Sequence, residues 1–486
     1  MTPFQYRWNY TSSPFSEALT ELLRRDSGDP RARVNLREFF RRVEGWEYET
    51  LRKQVSAERT LQPEAIEAMA EALGVAPEYF QEYRRYQIEH AIADHSELID
   101  LVYDLLVTRA KSLDAIAVPL VSRALDQLAD RQELSEDLAS RVLELIMEGQ
   151  VGDVQMAAFL MGLRVKGETG AEISAFARTM RRYGEAVEVD TEEPLVDIVS
   201  TGGDRLSTFN ISTTSAFVAA GAGVLVAKHG SRGQTSFSGA ADLIQALGAR
   251  IDIPSEAIAR CIETVGFGFM FAPLHYPIIR DLVPIRRSLN MRTIFNLLGP
   301  ILNPANVQRQ LTGVSDSRFV TVIAEALARL GSKKSMVVHG EDGLDEISVS
   351  TPTSVVEVRD GVCSKPFTIQ PEDFGLRRWP LKELVGGNPQ KNAQITRRIL
   401  TGEPGARMDV VVLNAGTAIY LADKADSITE GVEMARESLM SGAAWEKMTQ
   451  FVEFTQQARI DLDRAARAGD ATAGTRQRAR STAAID

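Results

Sequence analysis

Residues 197–239 read DIVSTGGDRLSTFNISTTSAFVAAGAGVLVAKHGSRGQTSFSG, and they carry the main structural pattern of the sequence. A short apolar run that begins at Val196 predicts a β-strand, which leads into the glycine pair 202–203. Residues 210–221 begin with polar side chains and continue as an Ala-rich run, which predicts a helix. The apolar run 224–227 predicts a second strand, and a second helical run follows it. The repeated order of strand, turn and helix is typical of an α/β fold.

Both turns carry groups that bind anions. Two adjacent glycines, 202 and 203, allow backbone N–H groups to turn toward one point. A helix that starts after Asn210 adds further donors and partial positive charge. Lys228 and Arg232 lie at the second turn, in a loop rich in Gly, Ser and Thr. A glycine pair alone is equally typical of an ordinary tight turn, but the complete pattern favours a site for a phosphorylated ligand.

Strand and helix signals alternate after residue 195. Further strand-like runs are residues 335–338 and 410–413, and helical runs are residues 240–247, 318–330, 392–400 and 415–422. This alternation predicts a largely parallel sheet covered by helices. The run 354–358 predicts an additional antiparallel strand.

Composition and charge exclude several classes of protein. The chain has 486 residues, of which 44% are hydrophobic and 25% charged, as in a soluble globular protein with two or three domains. The net charge of −11 disfavours a generally basic nucleic-acid binder. Cys261 and Cys363 are too few for a disulfide framework and lack metal-site spacing. No apolar stretch reaches the about 20 residues of a membrane span, and the first residues lack an apolar signal segment, so we expect a cytoplasmic protein.

The N-terminal part of the chain predicts several short helices. Helical periodicity begins near Asn35, and the segment 63–75 starts at a proline and ends beside a glycine, as helices do. A further helix is predicted to start at Pro77, and residues 91–115 are predicted to form a connecting helix. These short helices resemble the small DNA-binding domains of the Cro/repressor type.

The charge of this segment tests that resemblance. Between Arg33 and Glu89 there are nine basic and eleven acidic residues, whereas duplex binding draws its affinity from phosphate neutralisation. Arg52, Lys53 and Arg59 would suffice for a basic patch. The charge balance nevertheless weighs against DNA binding by residues 31–90, and a helical docking module is the alternative.

Four motifs in the rest of the chain occur together. They are STGGD at 200–204, NIST at 210–213, KHGSR at 228–232 and GLDE at 343–346. This combination resembles the anthranilate phosphoribosyltransferases, whose signatures are GTGGD, NIST, KHGN-R and GLDE. The resemblance covers about residues 116–460. It implies a small helical domain followed by a mostly parallel-sheet α/β domain of the nucleoside phosphorylase/phosphoribosyltransferase type, to which this chain adds an all-helical N-terminal domain.

These observations divide the chain into five segments. They are a lead-in (1–30), a helix-turn-helix-like domain with its connecting helix (31–115), a helical transferase domain (116–188), an α/β domain (189–463) and a tail (464–486). Because the tail has no apolar periodicity, we expect it to be disordered. In the family the helical domain usually forms the dimer contact, which implies a homodimer.

The resemblance also implies a reaction. Phosphoribose passes from phosphoribosyl pyrophosphate (PRPP) to the amine of anthranilate, and pyrophosphate is released, as a step of tryptophan biosynthesis. Mg²⁺ is the implied cofactor, because it prefers oxygen ligands and binds phosphates through few carboxylates. Its implied ligands are Ser212, Asp345 and Glu346. We assign no general acid or base, because an aniline-type amine is already neutral at pH 7.

The family's binding motifs fall on specific positions of this sequence. Those that match PRPP-binding positions are Ser200, Gly202, Gly203, Asp204, Thr208, Asn210, Ile211, Ser212, Thr213, Lys228, His229, Gly230, Ser231, Arg232, Gly233, Gln234, Thr235, Ser236 and Ala240. Those that match acceptor-binding positions are Ser200, His229, Ser231 and Arg286. A planar guanidinium such as that of Arg286 suits the carboxylate of an aromatic amino acid-type acceptor.

Three positions depart from the family pattern. Ser200 replaces the first glycine of GTGGD, Ser231 replaces the asparagine of KHGN, and Tyr276 replaces the histidine before Pro277. All three are expected near the acceptor, so the motifs support the use of PRPP more strongly than the use of anthranilate.

Three alternatives to anthranilate transfer therefore stay open. The first is a paralogue that ribosylates another aromatic acid in specialised metabolism. The second is a DNA- or ligand-binding regulator built on a retired transferase, which the intact Lys228, Asp345 and Glu346 weigh against. The third is a nucleoside phosphorylase, because the serine at position 200 resembles the pattern of the pyrimidine nucleoside phosphorylases. The acidic pair and Arg286 disfavour this third alternative.

Overall fold

A computed structural model describes most of the chain. The described residues are 15–26, 36–43, 45–56, 61–94, 109–203, 206–233, 237–277, 285, 288–289 and 291–482. The chain divides into two compact units, Met1–Asp114 and Ala115–Asp486. None of the helices in the described ranges combines the length and the apolar character that a bilayer span requires.

The first unit consists of helices around an aromatic core. The helices are α1 (Phe15–Asp26), α2 (Leu36–Phe40), α3 (Tyr48–Val55), α4 (Pro63–Leu73) and α5 (Gln81–Asp94), with a short 3₁₀ turn at Pro77–Tyr79. Phe15 and Phe80 pack with their ring centroids 4.4 Å apart. As predicted, α4 has a proline in its first turn and ends at Gly74, which has a left-handed φ of 65°.

Helix α1 differs from the prediction that residues 1–30 form a lead-in. Phe15, Ala18, Leu19 and Leu22 are buried in the same core as α2–α4. Their spacing of three, four and seven residues is the spacing of one helix face, which the polar neighbours obscured. The helical unit therefore begins at least as early as Phe15.

The second unit begins with a helical region. Helix α6 (Arg109–Ala129) contains the boundary between the units, and α7 (Glu136–Met147), α8 (Asp153–Lys166) and α9 (Gly170–Arg182) follow. Ser135 caps α7 by accepting a hydrogen bond from the Leu138 N–H. A buried Lys166–Glu172 ion pair of 2.8 Å fixes the turn between α8 and α9.

An α/β layer structure follows. The strands are β1 (Leu195–Ser200), β2 (Leu225–Gly230), β3 (Phe267–Phe271), β4 (Arg309–Gly313), β5 (Lys334–Gly340), β6 (Thr353–Arg359), β7 (Val362–Cys363) and β8 (Phe367–Ile369). The helices are α10 (Ile211–Gly221), α11 (Ala240–Leu247), α12 (Ser255–Val265), α13 (Ala272–His275), α14 (Ile294–Leu298), α15 (Phe319–Arg329), α16 (Pro389–Leu400), α17 (Ala406–Leu421), α18 (Ile428–Met440) and α19 (Ala443–Thr482).

The described strands form one mixed sheet. Their order is β3-β2-β1-β4-β5-β6-β7, and β8 pairs with β6. Strands β1 to β5 are mutually parallel, with Val199 opposite Thr312, whereas β6 is antiparallel to β5, with Val358 opposite Ser335. The predictions of a largely parallel sheet and of an antiparallel strand over 354–358 are both confirmed.

Each face of the sheet has its own core. On β5, Met336 and Val338 belong to the cluster formed with α10, α17 and α18, whereas Val337 belongs to the cluster formed with α7–α9 and α15. This alternation is the two-residue period of a strand that is covered on both faces. The helical region thus forms part of one of the two covering layers.

Two sequence predictions are wrong or differ from the structure. The predicted strand 410–413 is the centre of α17, in which residues 410–413 are fully buried. A helix that is buried on all sides lacks an amphipathic period, so a short Val/Leu run in it cannot be told from a strand. The predicted disordered tail differs too, because α19 continues to Thr482. Its Ala- and Arg-rich composition has high helix propensity even without an apolar face.

Candidate active site

The candidate site lies at the carboxyl ends of the central strands. The chain runs from β1 outward to β2 and β3, and then returns to β4 on the other side of β1. Parallel sheets bind ligands at such a reversal of strand order. The glycine turn 201–203 follows β1, Ser231 follows β2, and the segment 341–346 follows β5.

Side chains from other segments fix the first glycine turn, residues 201–203, by hydrogen bonds. Gly202 and Gly203 have left-handed φ values of 65° and 79°, which glycine adopts without strain. The Gly202 carbonyl accepts hydrogen bonds from the Arg292 guanidinium (2.8 Å) and from the Ser315 hydroxyl (3.1 Å). The Ser315 N–H donates to the Thr201 hydroxyl at 3.3 Å. The turn is therefore fixed by side chains from distant parts of the sequence.

Asn210 connects three segments instead of capping its helix. Its side-chain amide donates to the Ser238 carbonyl (3.0 Å), and its side-chain oxygen accepts from the Ser238 hydroxyl (3.2 Å) and the Asn392 amide (3.0 Å). The side chain makes no capping hydrogen bond to α10. The side chain that was expected to bind an anion thus joins the start of α10 to Ser238 and to Asn392 of α16. Thr208 forms an isolated bridge with Val385.

The second turn is closed by a carboxylate. Asp242 accepts hydrogen bonds from Arg232 (2.8 Å), from the Gly233 N–H (3.0 Å) and from the Gly239 N–H (2.9 Å). A Cβ atom on Gly239 would lie 2.2 Å from the Gly233 nitrogen, so only glycine permits this approach. Burial opposes ionisation, but the two backbone N–H groups and Arg232 hold the pKa of Asp242 below its usual value. Arg232 is therefore an ion-pair partner within the loop.

Lys228 is buried beneath the first turn. Its ammonium donates to the Ile198 carbonyl at 2.5 Å, and its exposed fraction is 1%. Burial lowers the pKa of Lys228, and the nearby Asp197 and Glu346 oppose that shift. Asp197 accepts from the Asn303 amide at 2.8 Å, and burial raises the pKa of Asp197 to about 6. The lysine thus hydrogen-bonds β2 to β1, and Asp197 and Glu346 both favour its charged form.

His229 and Tyr276 form a buried aromatic corner. The rings meet edge to face, with centroids 6.2 Å apart. Because Nδ1 of His229 lies 3.1 Å from the Gly299 carbonyl, which only accepts, we place the proton on Nδ1. Burial and His275 lower the pKa of His229 to about 3, so the imidazole is neutral at pH 7. Its Nε2 is buried and has no hydrogen-bond partner in the described part of the chain.

Tyr276 is fixed by its close fit to the helical region. A Cβ atom on Gly184 would lie 2.4 Å from the Tyr276 ring. Burial raises the pKa of Tyr276 to about 12, so the phenol stays neutral. Tyr276 thus contacts His229, and its expected place near the acceptor stays a prediction.

The acidic pair follows β5 in the chain and lies beside the end of β4, against the start of α10. Asp345 and Glu346 are each 5% exposed. Glu346 Oε1 accepts from the Ser212 N–H at 3.2 Å, and its Oε2 is buried without a hydrogen-bond partner among the described residues. Burial and the adjacent Asp345 raise the pKa of Glu346 to about 8. Asn414 of α17 exchanges two hydrogen bonds of 3.0 Å with the backbone of Ile347, which fixes the pair from the core side.

Comparison with known proteins identifies the family. A model described as the glycosyl transferase family, a/b domain, matches residues 192–445, and one described as the glycosyl transferase family, helical bundle domain, matches residues 122–184. The anthranilate phosphoribosyltransferase of Rubrobacter xylanophilus is 50% identical over 338 residues, which are 69% of this chain and 98% of that relative. The chain belongs to the anthranilate phosphoribosyltransferase family.

Other anthranilate phosphoribosyltransferases support this assignment. That of Symbiobacterium thermophilum is 48% identical, over 69% of this chain and 98% of its own length. The crystal structure of the enzyme from Thermus thermophilus has a TM-score of 0.65 and 42% identity, and the match covers 68% of this chain and 99% of that one. The enzyme from Saccharomyces cerevisiae in complex with PRPP and Mg has a TM-score of 0.65 and 29% identity, with 71% and 99% covered. Residues before 122 lie outside both family models.

The structure brings together several of the residues that match this family's motifs. Ser200, Gly202 and Gly203 lie at the end of β1, Lys228 and His229 lie at the end of β2, and Ser212 lies at the start of α10. Glu346 lies in the segment after β5 and contacts Ser212. Asp204, Gln234, Thr235, Ser236 and Arg286 lie outside the described residues. The roles of all these positions, including the acceptor role of Arg286, therefore stay predictions.

Sequence reasoning missed residues that support the anthranilate phosphoribosyltransferase site. They are Arg292 and Ser315 behind the first turn, Asp242 in the second, Asn392 beside Asn210, and Asn303 and Asn414 in the core. None of these residues belongs to a local sequence pattern, because each one forms hydrogen bonds to a residue distant in sequence or within an irregular loop.

The donor set fits a magnesium ion that is shared with phosphates. Among the described residues, no group of three or more His, Cys, Asp or Glu side chains is arranged to hold a metal by itself. Mg²⁺ is typically held by one or two carboxylates together with substrate phosphates and water. The buried Oε2 of Glu346 supplies an oxygen ligand of this kind.

Proposed function

We propose that this protein catalyses the Mg²⁺-dependent transfer of phosphoribose from PRPP to the amine of anthranilate. The observation that carries the proposal is the contact between the Ser212 N–H and Glu346, which joins the start of α10 to the acidic pair at the ends of neighbouring strands. The solved yeast relative in complex with PRPP and Mg supports the same ligand set.

The chemistry is a displacement at the anomeric carbon. The amine nitrogen forms a bond to C1 of the ribose while the bond from C1 to the pyrophosphate oxygen breaks. The electron pair of that bond leaves with pyrophosphate, and the amine loses one proton to solvent. Positioning of the two substrates accounts for much of the acceleration.

The chain's own residues bind and orient the sugar diphosphate. The N–H groups of the first turn and of the α10 start point partial positive charge at one region. Ser212, Asp345 and Glu346 are the residues that would hold magnesium, which supplies charge compensation for the leaving pyrophosphate. Lys228 is buried near the site, where Asp197 and Glu346 favour its charged form.

The acceptor is proposed to bind on the His229 side. A neutral imidazole with a free Nε2 accepts a hydrogen bond and does not repel an amine. Arg286 is proposed to bind the acceptor carboxylate. The bulk of Tyr276 in this corner is the observation that favours a second candidate, the transfer of phosphoribose to another aromatic acid.

One assay separates these candidates. The protein is incubated with PRPP, Mg²⁺ and anthranilate, and the loss of anthranilate fluorescence is followed. Turnover that disappears in Asp345→Ala, with an unchanged melting temperature, supports anthranilate transfer. Pyrophosphate release with a different aromatic acid only would support the second candidate. Undiminished Mg²⁺-dependent turnover in Asp345→Ala would contradict the metal assignment.

The second copy of the chain is proposed to dock on α8. Val154, Ala158, Met161 and Val165 are exposed along one face of this helix, while Phe159 on the opposite face is buried. This apolar stripe has the spacing of a helix–helix seam. Light scattering should report a homodimer for the wild type and a monomer for Met161→Glu, and a monomeric wild type would contradict the proposal.

For the first unit we propose a docking role and not DNA binding. Arg52, one of the three basic candidates, is paired with Glu49 on the same helix at 3.2 Å. Salt-sensitive binding of a labelled duplex by the full chain, lost in Lys53→Glu, would contradict this proposal.

A further inference from the structure

We propose that Arg292 is a positioning residue for PRPP, acting through the backbone of the first glycine turn. This inference rests on the proposed function, because that function assigns PRPP to the turn. Arg292 itself need not touch the substrate. Its two amino groups bind two different partners, which together fix the orientation of one peptide group.

The contacts form a closed triangle. One amino group of Arg292 donates to the Gly202 carbonyl at 2.8 Å, and the other donates to the Ser315 hydroxyl at 2.7 Å. The Ser315 hydroxyl donates to the same Gly202 carbonyl at 3.1 Å. Two donors therefore converge on one carbonyl oxygen, and each donor orients the other. A guanidinium is suited to this role because its planar fork presents two donors in a fixed geometry.

Fixing the carbonyl also fixes the next N–H. The peptide between Gly202 and Gly203 is trans, so its C=O and N–H point in opposite directions. When Arg292 and Ser315 hold the Gly202 carbonyl on one side, the Gly203 N–H is directed to the other side. A glycine pair has unusually many alternative backbone conformations, so without this clamp the N–H would have no single direction.

The guanidinium also packs against Gly203. A Cβ atom at this position would lie 3.2 Å from the central carbon of the Arg292 guanidinium, whereas a Cβ atom on Gly202 would meet nothing within 4 Å. Both glycines have left-handed φ values, so alanine strains the backbone at either position. Only at Gly203 would the alanine Cβ also press on the Arg292 guanidinium, which would have to shift by a few tenths of an ångström. The two glycines thus provide a matched pair for a test of the contact.

Calorimetry of PRPP binding in the presence of Mg²⁺ tests the inference without the acceptor. Ordering one backbone residue costs about 1–2 kcal/mol, so Arg292→Ala should weaken PRPP binding by about tenfold. The KM for PRPP should rise by the same factor, while the KM for anthranilate stays within about twofold. Arg292→Lys should recover part of the affinity, because a single ammonium still reaches one of the two acceptors. Ser315→Ala should show a smaller loss in the same direction.

Two controls separate positioning from general stability. Arg329→Ala removes an arginine that pairs with Glu136 at 2.9 Å, and it should leave the affinity for PRPP unchanged. Gly203→Ala should lose less affinity in the Arg292→Ala background than in the wild type, whereas Gly202→Ala should lose the same in both.

The results distinguish this inference from the proposed function. If the wild type binds PRPP and turns over anthranilate, but Arg292→Ala retains wild-type affinity, the inference is wrong and the function stands. A fall in melting temperature with an unchanged KM for PRPP would likewise show a merely structural role. If the wild type itself binds no PRPP, both are overturned.

Discussion

Replacement of Gly313 by alanine should displace the acidic pair from the site. Gly313 is the last residue of β4, and a Cβ atom there would lie 1.6 Å from the carbonyl oxygen of Asp345 and 2.4 Å from its carbonyl carbon. Ordinary contact begins at 3.4 Å, so the two segments must separate by about 1.8 Å. Because the clashing atoms belong to the backbone, no side-chain rotation relieves the overlap.

The size of the effect follows from this displacement. Overpacking a well-packed site costs about 1–3 kcal/mol, and we expect the upper end of that range, because β4 is a central strand. Such a loss lowers the melting temperature of a domain of this size by about 6 °C. Activity should suffer more, because a misplacement of about 1 Å at a reacting site can cost a hundredfold in rate.

Two measurements check the prediction. Circular dichroism gives the melting temperature, and the fluorescence assay gives turnover as a function of Mg²⁺ concentration. Gly152→Ala is the matched control, because a Cβ atom on Gly152 meets nothing within 4 Å. Wild-type melting and an unchanged Mg²⁺ requirement in Gly313→Ala would contradict the close approach of β4 to the acidic pair.

Three further predictions concern single side chains. Burial raises the pKa of Glu168, whose carboxylate oxygens have no hydrogen-bond partner in the described part of the chain. Because the pKa of Glu168 is higher in the folded state, the protein loses stability as the pH rises and this carboxyl ionises. Glu168→Gln should therefore stabilise the protein at pH 8 and have little effect at pH 4, as measured by chemical denaturation. Asp242→Ala removes the acceptor for Arg232 and should raise the KM for PRPP by about tenfold, with Asp242→Asn intermediate; equal KM values in all three proteins would contradict its role in the loop. Tyr276→Ala should cost about 3 kcal/mol and shift the acceptor preference toward bulkier aromatic acids, and an unchanged preference would show that Tyr276 does not shape the acceptor site.

The sequence predicted those elements whose pattern is local. Helix α4 was found from its proline and its final glycine, and the parallel sheet was found from alternating strand and helix signals. Helix α17 was mistaken in part for a strand, because a helix buried on all sides has no polar face to reveal its period. Helix α1 was overlooked because its four core residues are separated by polar ones.

The sequence predicted only those site residues that belong to a family motif. The proximity of Ser212 and Glu346, which are 134 residues apart, followed from resemblance and not from any local pattern. The clamp from Arg292 to Gly202 and the link from Asn210 to Asn392 span 90 and 182 residues. Such contacts depend on the packing of whole layers, so a single sequence gives no sign of them.

The pairing of Asn414 with Ile347 has a consequence for how the molecule opens. Asn414 lies at the centre of α17, which is buried over most of its length and packs against α10 and α18. The backbone amide protons of α17 should be among the slowest in the second unit to exchange with deuterium, because they are exposed only by global unfolding. The acidic pair is bonded to that slow core, whereas the hydrogen bonds of the second turn to Asp242 include one from the half-exposed Arg232. Local opening of the second turn should therefore release PRPP, while the carboxylates of Asp345 and Glu346 stay in place.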